Sequence, residues 1–170
     1  MSRLALLAVL LVPAAAPAAD PVAARAVLKN AKGATVGTAQ LKAEGGGVAV
    51  ALRVNDLPPG THAFHVHAAG KCDPPDFLSA GPHFNPTGKK HGMKNPEGHH
   101  LGDLPSIQVG ADGKGEAKAL VEGASLGPGP NSLFGPQGTA LVVHERPDDE
   151  MTDPAGNAGA RIACGVIERS

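Results

Sequence analysis

The chain has 170 residues, 42% hydrophobic and 18% charged, with a formal net charge of −1 at pH 7. That size suits one globular domain, and the near-neutral charge excludes the basic footprint of a nucleic-acid binder. The 23 glycines and 16 prolines fall between regular apolar runs and read as turns; without Trp or Tyr the core must come from Val, Leu, Ile and Ala, which favours strands.

Residues 1–19 read as a secretory signal peptide, leaving a mature domain over 20–170. Arg3 supplies the positive start, Leu4 to Val12 a short apolar run, and Ala14 to Ala19 the small residues before cleavage. The run is too short to span a bilayer. No Cys lies near the cleavage region, so no membrane anchor is expected. An N-terminal strand or buried helix is the alternative reading.

The mature part reads as about eight short strands. Ala24 to Lys29 comes first, with a turn at Asn30 to Gly33. Ala34 to Ala43 follows, then Val48 to Val54, where Val48, Val50, Leu52 and Val54 share one face and Arg53 lies on the other. Leu57-Pro58-Pro59-Gly60 breaks the pattern before a strand at His62 to His67. Leu104 to Val109 and Gly115 to Glu122 are joined by the turn Ala111-Asp112-Gly113. Ser125 to Gln137 is a Gly/Pro-rich connection. Thr139 to Glu145 is a strand, Arg146 to Gly159 a second long loop, and Ala160 to Ile167 the last strand. This pattern predicts an all-β antiparallel sandwich or barrel.

Six of the eight histidines lie between Ala63 and Asp103: His65, His67, His83, His91, His99 and His100. His62 precedes the stretch and His144 follows in VVHE. Neutral histidine is the commonest metal ligand. Two apart on a strand, His65 and His67 point to one face, leaving Phe64 and Val66 for a core on the other. His83, His91, His100 and Asp103 are spread over a segment without helical or strand period. A loop that long in a compact domain has a function as a rule, and metal ligation would order it. Cys72 and Cys164 form an even pair in an exported chain and suggest a disulfide. Closing 92 positions would stabilise by roughly 4–5 kcal/mol on the loop-entropy model. Two buried thiols are the alternative, and a thiolate ligand a remoter one.

FHVH, GPHFNP, KHG, HLGDL, VVHE and GNAGARIACGVI occur in this order. Together they resemble copper/zinc superoxide dismutase over nearly the whole mature chain, from about Ala24 to Ile167. The resemblance implies an eight-stranded antiparallel Greek-key β-barrel with two long functional loops. It implies copper on His65, His67, His83 and His144, and zinc on His83, His91, His100 and Asp103. It makes Arg161 the group that guides the substrate anion, Asp148 the carboxylate joining His65 to His91, and Cys72–Cys164 the disulfide. Asp149, adjacent to Asp148, is an equal choice on residue type. The implied reaction is dismutation of superoxide to dioxygen and hydrogen peroxide, copper alternating between Cu(II) and Cu(I) while His83 takes and returns a proton. Four imidazoles suit Cu(II), and three histidines with one carboxylate suit closed, tetrahedral zinc.

Compared with eukaryotic members, the segments from His67 to Cys72 and from His144 to Arg161 are short, and Arg146 is the only base inside the second. Those segments carry dimer contacts and steering charges in eukaryotic members, so the resemblance allows a homodimer but fixes neither its geometry nor the steering residues. The leader points to the periplasm, with the extracellular space as the alternative. A copper carrier on the same fold would call for thioether or thiolate ligands, and only Met93 and Met151 lie in the mature chain. A zinc-only adhesive sandwich would have no use for His65, His67 and His144 together.

Overall fold

The computed structural model describes residues 24–170; the expected signal peptide lies outside them. Ten strands form one antiparallel sheet: β1 Ala24–Asn30, β2 Thr35–Glu44, β3 Gly47–Val54, β4 Gly60–His62, β5 Phe64–His67, β6 Ile107–Val109, β7 Gly115–Glu122, β8 Ala140–His144, β9 Arg161–Val166 and β10 Glu168–Arg169. The order is β4-β6-β7-β3-β2-β1-β9-β8-β5, with β10 paired to β1. The chain runs from β4 to β5 through Ala63 alone, so the two ends of this path are one bent strand and the sheet nearly closes on itself. Ala63 N–H donates to the Arg146 carbonyl and its carbonyl accepts from His144 N–H, both at 2.8 Å. That is why the expected single strand His62 to His67 is divided: its first part pairs with β6 and its second with β8.

The barrel interior follows the alternation. Val48, Val50, Leu52 and Val54 are buried with Leu28, Leu41, Phe64, Val66, Ile107, Leu141 and Val143. Arg53 faces solvent and pairs with Glu116 across the strands, both exposed, so that pair adds little stability. The strand expected from Leu104 begins only at Ile107. Pro105 has no N–H to give a ladder, although Leu104 is itself buried. Among the described residues the only helical piece is a 3-10 turn at Leu78–Ala80, and no helix is long and apolar enough to cross a membrane.

β8 breaks the alternating pattern, since all five residues are buried. Leu141 and Val143 face the barrel core. Ala140 and Val142 face outward onto a second apolar cluster with Phe77, Ala80 and Cys164, against which Cys72 packs. A disulfide joins Cys72 to Cys164 with Cα atoms 5.6 Å apart. The loop is therefore fastened to β9 covalently and by the burial of Phe77, which contributes about 2–3 kcal/mol. This flap lies on the same outer face as His65 and His67, because His65 pairs with Val142 and His67 with Ala140.

Candidate metal centre

Four histidines converge on the outer face at the end of β5 and β8. His65 and His67 come from β5, His144 ends β8, and His83 is brought in by a bridge from its loop to His67. One donor atom from each lies within 4.8 Å of the others, and all four residues are buried. Each ring is oriented from behind. His65 Nε2–H donates to Asp148 Oδ2 at 2.7 Å, and His67 Nδ1–H donates to the Gly81 carbonyl at 2.9 Å. His144 Nδ1 faces the Gly159 carbonyl at 3.5 Å. The opposite nitrogens, His65 Nδ1, His67 Nε2 and His144 Nε2, are left for the shared centre, the last two 3.4 Å apart.

The second group is His83, His91, His100 and Asp103, again buried with donor atoms within 4.8 Å of one another. The Nδ1 atoms of His83, His91 and His100 lie 2.8, 3.1 and 3.2 Å from one oxygen, Asp103 Oδ1. The other oxygen, Oδ2, accepts from the backbone N–H groups of Gly92 and His100 at 2.9 and 3.0 Å. His83 belongs to both groups, with Nδ1 in this one and Nε2 turned to the other.

These donor sets fit copper and zinc. His65 Nδ1 and His83 Nε2 are fully buried with no hydrogen-bond partner in the protein. Leaving a buried polar atom unpaired costs about 1–3 kcal/mol, and a cation removes that cost at both atoms. Around Asp103 the spacings resemble the edges of a tetrahedron with bonds of about 2.0–2.1 Å, which are about 3.3 Å long. No hydrogen-bonding network needs three ring nitrogens on one carboxylate oxygen.

Asp148, rather than its neighbour, ties the groups together. Its Oδ2 takes His65 and its Oδ1 takes His91 Nε2–H at 3.0 Å. Asp149 is exposed and organises its own loop through Met151, Thr152 and Asn157. Gly156 makes the close approach of Asp148 feasible: its φ is +60°, and a Cβ there would collide with the Asp148 carboxylate and with His91. Gly102 has a similar part under the loop, exchanging backbone hydrogen bonds with Val66 and Phe84 where any Cβ would strike Val66 O.

Arg161, at the start of β9, lines a cavity of about 400 Å³ with His67, His83 and His144. Its guanidinium is held by the Phe77 and Gly81 carbonyls, each at 2.7 Å. Gly81 O thus positions both Arg161 and His67, and the disulfide-fastened flap supplies both carbonyls. Nothing in the sequence marked Phe77 or Gly81 for this; backbone acceptors carry no residue-type signal. Two histidines stand apart. His99 directs Nδ1 to the His100 carbonyl. His62 is buried, its two ring nitrogens 2.8 Å from the His144 and Pro58 carbonyls, and it braces β8 from behind. Its burial is legible only in the fold.

The electrostatics leave His67, His83 and His144 neutral, and hold a proton on His91 that a cation would displace. Burial pushes His83 down to about 4 against the pull of Asp103. Burial, with the charges of His65 and His83, pushes His144 down to about 3. Burial, helped by His83, holds His67 well below the imidazole range. Burial also works against the charged form of His91, but Asp103 and Asp148 outweigh it and carry that ring up to about 9. Burial would raise Asp103 and Asp148, yet their N–H donors hold both well below the carboxylate range.

A pH dependence of the metal-free protein follows. Unfolded histidine titrates near 6.5. Below that, the unfolded chain takes up protons that folded His67, His83 and His144 refuse, so stability falls as pH drops toward about 4. Between 6.5 and about 9 the folded chain keeps a His91 proton that the unfolded chain loses, so stability falls as pH rises. Guanidinium midpoints of metal-free protein should therefore peak near pH 6.5; a profile rising steadily to pH 9 would contradict the His91 environment.

Comparison with known proteins identifies the family. The profile for copper/zinc superoxide dismutase (SODC) matches residues 35–167. A curated relative, superoxide dismutase [Cu-Zn] 1 of Aquifex aeolicus, is 49% identical over 152 residues, covering 88% of this chain and 90% of that protein. The crystal structure of a SOD-like protein from Bacillus subtilis superposes with a TM-score of 0.80 at 41% identity, covering 84% of this chain and 96% of that one. Cu/Zn superoxide dismutase from Brucella abortus gives 0.68 at 33% identity, covering 85% and 98%. With its near-closed antiparallel barrel and two adjoining histidine groups, the chain belongs to the copper/zinc superoxide dismutase family.

Proposed function

We propose that this protein dismutates superoxide to dioxygen and hydrogen peroxide outside the cytoplasm. The ligands are His65, His67, His83 and His144 for copper, and His83, His91, His100 and Asp103 for zinc. The observation that carries the reading is the pair of buried, partnerless nitrogens, His65 Nδ1 and His83 Nε2, in a group whose cavity also holds Arg161. Copper, when bound, supplies the one-electron couple, and zinc a fixed positive charge.

The protein's own groups do the rest. Arg161 keeps its charge at any working pH and draws the anion to the cavity beside His67, His83 and His144. His83 Nε2 is the protein atom placed to carry a proton there, while its Nδ1 stays on the Asp103 side. Two superoxide anions and two protons give one dioxygen and one hydrogen peroxide, so protons must be delivered to the reacting centre. The closed shell of three rings and a carboxylate supports a structural and electrostatic part for zinc. Arg161 in the cavity also favours turnover over copper carriage, since a guanidinium beside a carried cation only repels it.

Export is supported by residues 1–19, with their Arg3 start and alanine-rich end, and by the Cys72–Cys164 bond, which persists in oxidising compartments. We assign the periplasm. Stopped-flow decay of superoxide should be fast with protein carrying copper and zinc and should vanish with protein carrying zinc alone. Absence of turnover at one copper per chain would overturn the enzyme reading in favour of a carrier.

Arg161→Ile gives a smaller, separable effect. Opposite charges about 5 Å apart at an effective dielectric of about 20 attract by about 3 kcal/mol, and solvent at the open mouth reduces this. The variant should retain both metals and lose about tenfold in rate. Loss of copper instead would make Arg161 a structural strut for the flap carbonyls.

A further inference from the structure

Among the described residues, two cavities have members of the two histidine groups in their walls, and from different sides. The one of about 400 Å³ is lined by His67, His144 and Arg161 and by none of His91, His100 or Asp103. The other, about 670 Å³, is lined by His100 and by none of His65, His67, His144 or Arg161. His83, the residue common to both ligand groups, is in the wall of each. The larger cavity lies between the 82–90 segment and the 130–138 loop, with Lys89, Lys90 and Gln137 among its lining.

We infer that this larger cavity is the route by which zinc reaches and leaves its ligands, separate from the opening through which superoxide and copper approach. The inference rests on the ligand assignment proposed above. The exposure of the four residues sets the order of contact. The His100 side chain is 8% exposed, His83 3%, Asp103 2% and His91 0%. A cation moving up the cavity meets His100 first, exchanges a water for a ring nitrogen there, and passes inward to His83, Asp103 and His91. The opposite path would require it to cross the copper group, where His65 and His83 hold unpaired nitrogens that would trap it.

The walls are built to stay open. Pro86, Pro130 and Pro136 line it, and proline has a fixed φ and no N–H to pair across the gap. The charge at the rim sets the rate. Lys89 and Lys90 repel a free cation, and only Lys90 has a carboxylate close by, Asp153 at 3.7 Å. A slow zinc exchange is the consequence, and removing the lysine charges should speed it.

The test uses full-length protein loaded with copper and zinc and an excess of a chromogenic zinc chelator. Release follows the uptake route in reverse. Gln137 is exposed, so Gln137→Trp fills the cavity without touching a ligand. Gly135→Trp does so from a position where a Cβ meets only ordinary contact with Ser132. Both should hold one zinc per chain by elemental analysis and release it several-fold more slowly, with copper release to cyanide unchanged. Lys89→Gln with Lys90→Gln should raise the zinc rate. Leu78→Trp, at the copper-side cavity, should slow copper removal and leave zinc release alone. Wild-type zinc release from both tryptophan variants, or equal slowing of zinc by Leu78→Trp, overturns the separate route. The ligand assignment fails in a different way: the parent protein would hold no zinc, or His100→Ala would hold it as tightly as the parent.

Discussion

Replacing His83 with alanine should loosen both metals at once and lower superoxide turnover by orders of magnitude. Loss of a residue that merely orients a ligand costs about 10–100-fold in metal affinity, and a direct ligand costs more. His83 is the only residue present in both donor groups, with Nδ1 2.8 Å from Asp103 Oδ1 and Nε2 buried without a protein partner. Its removal therefore takes one donor from each metal and the proton carrier from the reacting side. Competitive titration should show weaker zinc and weaker copper binding in the same variant, together with lost activity. A variant that bound both metals normally and turned over at the parent rate would end the bridging assignment. The barrel itself should survive, since His83 sits on a loop and the core cluster is built from other residues.

Asp148→Asn should produce the second large effect, and it should fall on metal binding without a change in any ligand. Asp148 accepts from His65 at 2.7 Å and from His91 at 3.0 Å. An amide keeps one acceptor oxygen and turns an N–H toward the other ring, so at least one of the two histidines loses its orientation. Zinc affinity should drop about 10–100-fold, with a smaller change for copper, whose other ligands keep their backbone supports at Gly81 and Gly159. Although burial opposes it, hydrogen bonding from His65 and His91 holds this carboxyl well below the usual carboxylate range. Asp148 is therefore ionised at both pH 6 and pH 8, and its own titration adds no pH dependence between them. Asp149→Asn is the internal comparison. It should loosen an exposed loop and leave both affinities unchanged; equal losses in the two variants would remove the special role of Asp148.

Much of the fold could be read from residue pattern. Alternation placed Val48, Val50, Leu52 and Val54 inside, and it put His65 and His67 on one face because strand side chains repeat every second residue. Pattern failed where burial came from outside the strand. All of β8 is buried because a flap anchored by Cys72 and Phe77 covers its outer face, and no local periodicity records a distant cover. The break at Ala63 was hidden for the same reason: the chain there changes partner from β6 to β8, and neither partner is near it in sequence.

The chemistry was legible as residue type and order: seven candidate metal ligands in their motifs, an arginine near the end and two cysteines. Those are covalent properties of the chain, and they set the donor chemistry it can offer a metal. Which nitrogen of each ring faces inward was decided only by the tertiary structure. So were the choice of Asp148 over Asp149, the burial of His62, and the holding of Arg161 by the Phe77 and Gly81 carbonyls. The physical reason is common to them all. Each depends on a partner tens of positions away, and a hydrogen bond is specified by distance and direction in space rather than by separation along the chain.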